Sequence, residues 1–291
     1  MSRESDSLRL LRVIDGSYKP SMADAHKLAE RARLNKLYLA YLRGVGDLFK
    51  DELKREETRY EWYMKNAVEV IKALKSVDYA LYKFRRPVDH VSVDLDILVD
   101  TKEIPKAVKL LRNMGFNVVV PEPYTITVER KGFIVDLYTM PAFAWVVYMD
   151  GEKLLREHAE DIDVYGTEAR ALSREAEVAV ASAHAVYKEH MVLLMDCLVM
   201  WNWLNKEVWK ISIDYDIETA LEEVLGICSL VKNGFTEAPC KLNPSAILKA
   251  YAGKMIHDPA FRATFSNIIK YILSRENAGS IIINRLSRKS Y

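Results

Sequence analysis

The chain contains no glutamine, and its 291 residues include only three cysteines. Cys197, Cys228 and Cys240 are too few and too scattered for a disulfide framework, and no Cys-x-x-Cys spacing occurs. A reducing compartment is therefore expected, with Cys197 a small buried residue in an apolar stretch. Chains from hot-living sources avoid labile amides, so the missing glutamine points mildly that way, while eleven asparagines point against it. No leader pattern of positive charge followed by apolar residues opens the chain. No run approaches the roughly 18 apolar residues of a membrane span. The longest apolar stretch, 191–204, is interrupted by Asp196 and Asn202. A cytoplasmic protein without membrane contact is the expectation. Net charge is also nearly absent, at +1 from 42 basic against 41 acidic residues, so nothing draws the whole molecule toward nucleic acid. No Gly-x-Gly-x-x-Gly, Gly-Lys-Ser/Thr or Gly-x-Ser-x-Gly motif occurs, which leaves dinucleotide redox chemistry and serine hydrolysis without support.

Half of the chain is apolar, enough for a sizeable core. Residues 1–78 carry helical periodicity. Leu28, Ala32, Leu37, Leu39 and Leu42 form one amphipathic stripe, and 51–74 repeats the pattern through Tyr63, Ala67, Val70 and Leu74. The Gly16–Pro20 stretch is a turn, after which Ser21 or Asp24 caps a helix. From residue 79 the pattern changes to short β-branched and aromatic runs at 79–84, 91–99, 116–120, 124–129 and 133–138, separated by Pro and Gly turn signals. Residues 104–114 have helical spacing and end at Gly115. The stretch 141–171 reads as irregular and charged. Beyond it, 174–204 is a central buried helix or a broken pair, and further helices are expected at 217–232, 244–257 and 259–274, before a basic tail at 274–291. The expected architecture is α+β, a mixed sheet with helical cover. It divides into an N-terminal helical region (1–78), a sheet domain (79–171) and a C-terminal helical domain (172–291).

Two oddities break the strand pattern. In 91–99 the strand alternation turns Val91, Val93, Leu95 and Ile97 one way and Ser92, Asp94 and Asp96 the other. The two carboxylates thus share a face with Cα atoms about 7 Å apart, and like charges so placed call for a cation such as Mg²⁺ or Mn²⁺. A third acid, Asp136, repeats the oddity in the apolar run 133–138. If the two strands are neighbours, three carboxylates converge, an arrangement able to hold two metal ions about 4 Å apart. Solvated acids at strand ends are the plain alternative. Asp100 caps the helix that follows.

The run Asp94-Leu95-Asp96-Ile97-Leu98-Val99, a helix ending in Gly115-Phe116, and then Val135-Asp136-Leu137 resemble the nucleotidyltransferase superfamily with the DNA polymerase β-like fold. The likeness is closest to its uncharacterised prokaryotic and archaeal branches and covers the middle of the chain. It implies that Asp94 and Asp96 are the metal-binding pair and Asp136 the third ligand. The implied reaction moves a nucleoside monophosphate from a nucleoside triphosphate such as ATP to an acceptor hydroxyl: an RNA end, a protein side chain or a small molecule. One feature departs from the family, which usually carries a Gly-Gly or Gly-Ser turn after the strand preceding the pair. Here the stretch is Tyr82-Lys83-Phe84-Arg85-Arg86-Pro87, without glycine, and Lys83 corresponds to a lysine that some branches carry before the glycine. Lys83, Arg85 and Arg86 are then candidates for holding phosphate by charge, with Ser92 beside the pair, or else they form a basic surface loop. The resemblance also admits an inactive nucleotide-binding module, and a toxin-like nucleotidyltransferase with a protein partner.

His184, Lys188, His190 and Asp196 lie on the buried stretch 174–204. His184 and Lys188 share a helix face, His190 does not, and buried hydrogen-bonded histidines are expected rather than a metal site, with contact to base or phosphate as the alternative. Trp201, Trp203 and Trp209 read as core packing, with nucleobase stacking as the alternative.

Overall fold

The computed structural model describes residues 4–274 and 288. Four helices open the chain: α1 (Asp6–Ile14), α2 (Met22–Leu34), α3 (Tyr38–Val45) and α4 (Lys50–Ala73). Ser21 caps α2, its hydroxyl accepting from the Asp24 N–H. The single amphipathic stripe expected over 28–42 is in fact two helices. The chain breaks at Asn35–Lys36 because the buried Asn35 amide bonds elsewhere: its Oδ1 accepts from Leu194 N at 2.7 Å and its Nδ2 donates to Ala238 O at 2.9 Å. Lys36 then takes a left-handed backbone, φ 58°.

The sheet strands are β1 (Tyr79–Leu81), β2 (Asp94–Val99), β3 (Asn117–Pro121), β4 (Thr125–Arg130) and β5 (Phe133–Tyr138), with α5 (Ile104–Asn113) between β2 and β3. The Asp100 carboxylate accepts from Lys102 N at 2.7 Å, as expected of a cap. Gly115, φ 88°, closes α5. A two-residue pair, β6 (Ala142–Phe143) with β7 (Val146–Val147), leads to α6 (Gly151–His158). Gly151 has no substitute there, since a Cβ would collide with the Thr139 carbonyl.

The stretch 141–171 is not irregular. Besides α6 it carries β8 (Ala159–Val164) and β9 (Thr167–Leu172), a hairpin that extends the sheet to the order β3-β4-β5-β2-β1-β9-β8. Charge hid β8, an edge strand with exposed acids at Glu160, Asp161 and Asp163. Alanine hid β9, whose buried face uses Ala169 and Ala171, residues depleted in strands. The sheet is mixed: β2 runs parallel to β5, and β1 parallel to β9, while the other neighbours are antiparallel.

The stretch 174–204 is a broken pair. α7 (Arg174–His184) runs into one wide π-helical turn (Ala185–Glu189), then β10 (Met191–Val192), and α8 (Leu194–Trp203) follows. Then come α9 (Lys206–Asp214), α10 (Glu218–Lys232), β11 (Cys240–Lys241), α11 (Pro244–His257), α12 (Pro259–Thr264) and α13 (Asn267–Ser274). α9 had no clear signal, since only Val208, Ile211 and Ser212 of it are buried. The helix expected over 259–274 is likewise two. The basic tail, apart from Arg288, lies outside the described residues.

The two faces of the sheet bury different partners. Leu95, Ile97, Val135 and Leu137 pack on α4 and α5, and each such side chain contributes roughly 1.5–3 kcal/mol. Leu98 and Tyr138 point the other way, into a larger cluster built from α1–α3 and α6–α11. The cysteine expectation is corrected here. Cys197 on α8 and Cys228 on α10 form a disulfide across 31 residues, which removes the ground for inferring a reducing compartment. Among the described residues no helix is long and apolar enough to cross a membrane.

Candidate active site

β2 and β5 lie side by side in parallel, with Asp96 directly opposite Asp136 in the register. Equal parity puts Asp94, Asp96 and Asp136 on one face, turned toward α7. One carboxylate oxygen from each lies within 4.8 Å of the others. The expected strand start is shortened, for β2 begins at Asp94 and Val93 is exposed.

Each acid has its own surroundings. Asp96 is 9% exposed; its Oδ2 meets the Lys83 ammonium at 2.7 Å, and its buried Oδ1 has no hydrogen-bond partner. Burial raises the Asp96 carboxyl, Lys83 opposes the rise and Asp94 adds to it. Asp136 accepts from the Thr127 hydroxyl, and its carboxyl is pushed up to about 6, first by burial and then by Asp96. Asp94 accepts from the Ser92 hydroxyl at 3.3 Å. Burial works against the Lys83 ammonium, but Asp96 and Asp94 outweigh it and hold its pKa above the ordinary value. A bare buried carboxylate oxygen such as Asp96 Oδ1 is costly. An all-oxygen acidic donor set with an orphaned Asp96 oxygen fits a hard divalent cation.

The loop after β1 makes a left-handed turn without glycine. Lys83 takes the left-handed backbone itself, φ 56°. Phe84 N–H donates to Oε1 of the fully buried Glu177 on α7 at 3.0 Å, and burial lifts the Glu177 carboxyl to about 7. Arg85 turns away to pair with Glu160 on β8. Arg86 stays, its Nε and Nη1 buried without hydrogen-bond partners.

Two cavities of about 260 and 280 Å³ meet at Lys83, Arg86, Ser92, Asp94 and Asp96. Together they reach the size of a small-ligand site, roughly 300–1,000 Å³. The second cavity contains a residue that sequence reasoning missed, Lys36, whose ammonium is pushed down to about 8 by burial and by the charges of Arg86 and Lys83. Nothing in its local sequence marks it, because only the α2–α3 break brings it to the sheet. His184, Lys188 and Asp196 border the same cavity. His184 is the buried, hydrogen-bonded histidine that was expected, between Tyr148 OH at 3.3 Å and Glu189 Oε1 at 3.1 Å. Asp196 caps α8 through Leu193 N at 2.8 Å. His190 takes a left-handed backbone, φ 55°, at the end of the π turn, with its ring against Phe143. Trp201 and Trp203 are half-buried against the core, while Trp209 is exposed.

No curated protein matches the chain. A family model described as uncharacterised nucleotidyltransferase matches residues 68–232, a span that takes in the acid triad, the Lys83 loop, α7 and α8. The chain belongs to this nucleotidyltransferase family.

Proposed function

We propose that the protein transfers a nucleoside monophosphate from a nucleoside triphosphate to an acceptor hydroxyl, using Mg²⁺ or Mn²⁺ held by Asp94, Asp96 and Asp136. The observation that carries this reading is the convergence of one oxygen from each of the three carboxylates within 4.8 Å. A divalent cation there supplies neutralisation of the negative charge that spreads over the phosphoryl oxygens in the transition state.

The chain's own groups divide the remaining tasks. Lys36, Lys83 and Arg86, which line the cavity beside the acids, hold the triphosphate by charge. Arg85 anchors the loop to β8. Ser92 orients Asp94. Asp136, with Oδ1 held by the Thr127 hydroxyl and Oδ2 3.5 Å from the Tyr138 hydroxyl, binds the catalytic cation or takes the acceptor's proton. The acceptor oxygen bonds to the α-phosphorus, the bond to the bridging oxygen breaks, and pyrophosphate leaves with the freed electron pair.

The test is nucleotide binding followed by pyrophosphate release. Binding that needs Mn²⁺ and is lost in Asp96→Asn, with the fold retained by circular dichroism, is expected. Equal binding in EDTA, or in the variant, would sink the reading. Binding without any pyrophosphate release would favour an inactive nucleotide-binding module.

A further inference from the structure

The two cavities that share the acid cluster differ in what each adds to it. The wing beyond Lys83 adds mainly charged groups, Lys36, Asp136, Lys188 and Asp196, with Tyr138 and His184. The other wing adds the aromatic rings Tyr60 and Tyr63 from α4, Phe84 from the β1–β2 loop and Trp203 from the end of α8, among the charged Arg85, Asp89 and Arg174. A nucleotide has the same division, a polyanionic tail and a flat apolar base. Placing the base among the charged groups would strip their hydration for nothing in return. Against aromatic rings its faces find stacking partners. A second, independent feature points the same way. The Arg174 guanidinium lies over the Trp203 ring at 5.8 Å, lines the same cavity and is exposed, so its donors can reach a base edge at the cavity mouth.

From this juxtaposition we infer that the 260 Å³ aromatic cavity is the nucleobase subsite, with Trp203 and Phe84 stacking on the base and Arg174 reaching its edge. The inference rests on the metal–nucleotide reading above and adds what that reading leaves out, namely which part of the substrate is recognised beyond its phosphates. It gives Trp203, which also packs against the core, a ligand contact. Stacking strength of this kind corresponds to roughly tenfold to hundredfold in affinity.

The experiment titrates the full chain, in Mn²⁺, with ATP, with GTP and with inorganic tripolyphosphate, for wild type, Trp203→Leu and Arg174→Ala. Wild type is expected to bind at least one nucleotide tenfold or more tightly than tripolyphosphate. Trp203→Leu should erase that margin while leaving tripolyphosphate affinity unchanged. Arg174→Ala, at an exposed position, covers the case in which the tryptophan variant fails to fold, and should reduce the margin on its own. Equal affinity for tripolyphosphate and both nucleotides in wild type would overturn the base subsite and leave the metal site standing. An unchanged margin in both variants would overturn it too. Binding of none of the three ligands would instead remove the metal–nucleotide reading, and this inference with it.

Discussion

Lys83 sets its ammonium 2.7 Å from the Asp96 carboxylate while holding a left-handed backbone conformation. The two facts pull in opposite directions. The ion pair quiets one of the crowded acids, and the backbone costs about 1–2 kcal/mol for a residue with a Cβ. Substitution separates them. Lys83→Ala loses the pair and keeps the strain; Lys83→Gly loses the pair and sheds the strain. In EDTA both should melt below wild type, because removing one partner of a largely buried pair costs about 3 kcal/mol. Lys83→Gly should be the more stable of the two by about 1 kcal/mol. Mn²⁺ should raise both melting temperatures more than wild type's, since Asp96 has lost its competing cation. Identical melting of the two variants would contradict the backbone argument.

Asp136 makes the site sensitive to pH. Its carboxyl, ordinarily near 3.8, stands at about 6 in the fold, so the native state prefers the protonated form. That preference stabilises fully below about pH 4 and is lost as pH rises through about 6. Metal binding runs the other way, because a ligand must be deprotonated. Mn²⁺ affinity should climb about tenfold per pH unit up to about 6 and then level off. Calorimetric titrations from pH 4.5 to 7.5 check this. In Asp136→Asn the apo protein's loss of stability across that window should shrink.

Glu177 governs the loop rather than the chemistry. Its carboxyl, raised to about 7 by burial, accepts from Phe84 N–H. Glu177→Gln keeps an acceptor in place and should preserve nucleotide affinity, while removing the part of stability that is present below about pH 4.5 and lost as pH rises through about 7. Glu177→Ala leaves the Phe84 N–H unsatisfied and should cost about 1–3 kcal/mol. It should also weaken nucleotide binding, since Lys83 and Arg86 ride on the freed loop. Denaturant melts and nucleotide titrations on the two variants distinguish the outcomes.

The Cys197–Cys228 bond closes a loop of 31 residues between α8 and α10. Loop-closure entropy gives it roughly 3–4 kcal/mol. Melting with and without a reductant, repeated on Cys197→Ser/Cys228→Ser, should show that loss in wild type and no effect of reductant in the variant.

The acid triad was legible in sequence because its cause is local. Strand alternation assigns Asp94 and Asp96 to one face whatever the rest of the chain does, and a single acid in an apolar run repeats the signal at Asp136. The hairpin of β4 and β5 and the helix before Gly115 were legible for the same reason, since turn residues and short-range periodicity specify them. β8 and β9 were not, because a charged edge strand and an alanine-lined one carry no alternating signal of their own.

Sequence by itself determined which side chains could bind a cation and which faces of their strands they share. Tertiary structure alone decided that β2 and β5 are neighbours, that Lys36 arrives from a helix break held by Asn35, that Glu177 clamps the Lys83 loop, and that Cys197 meets Cys228. Each of these joins residues at least 31 positions apart. Such contacts form only where the buried faces of separate elements pack together, and periodicity along one segment says which face is buried but not what it is buried against.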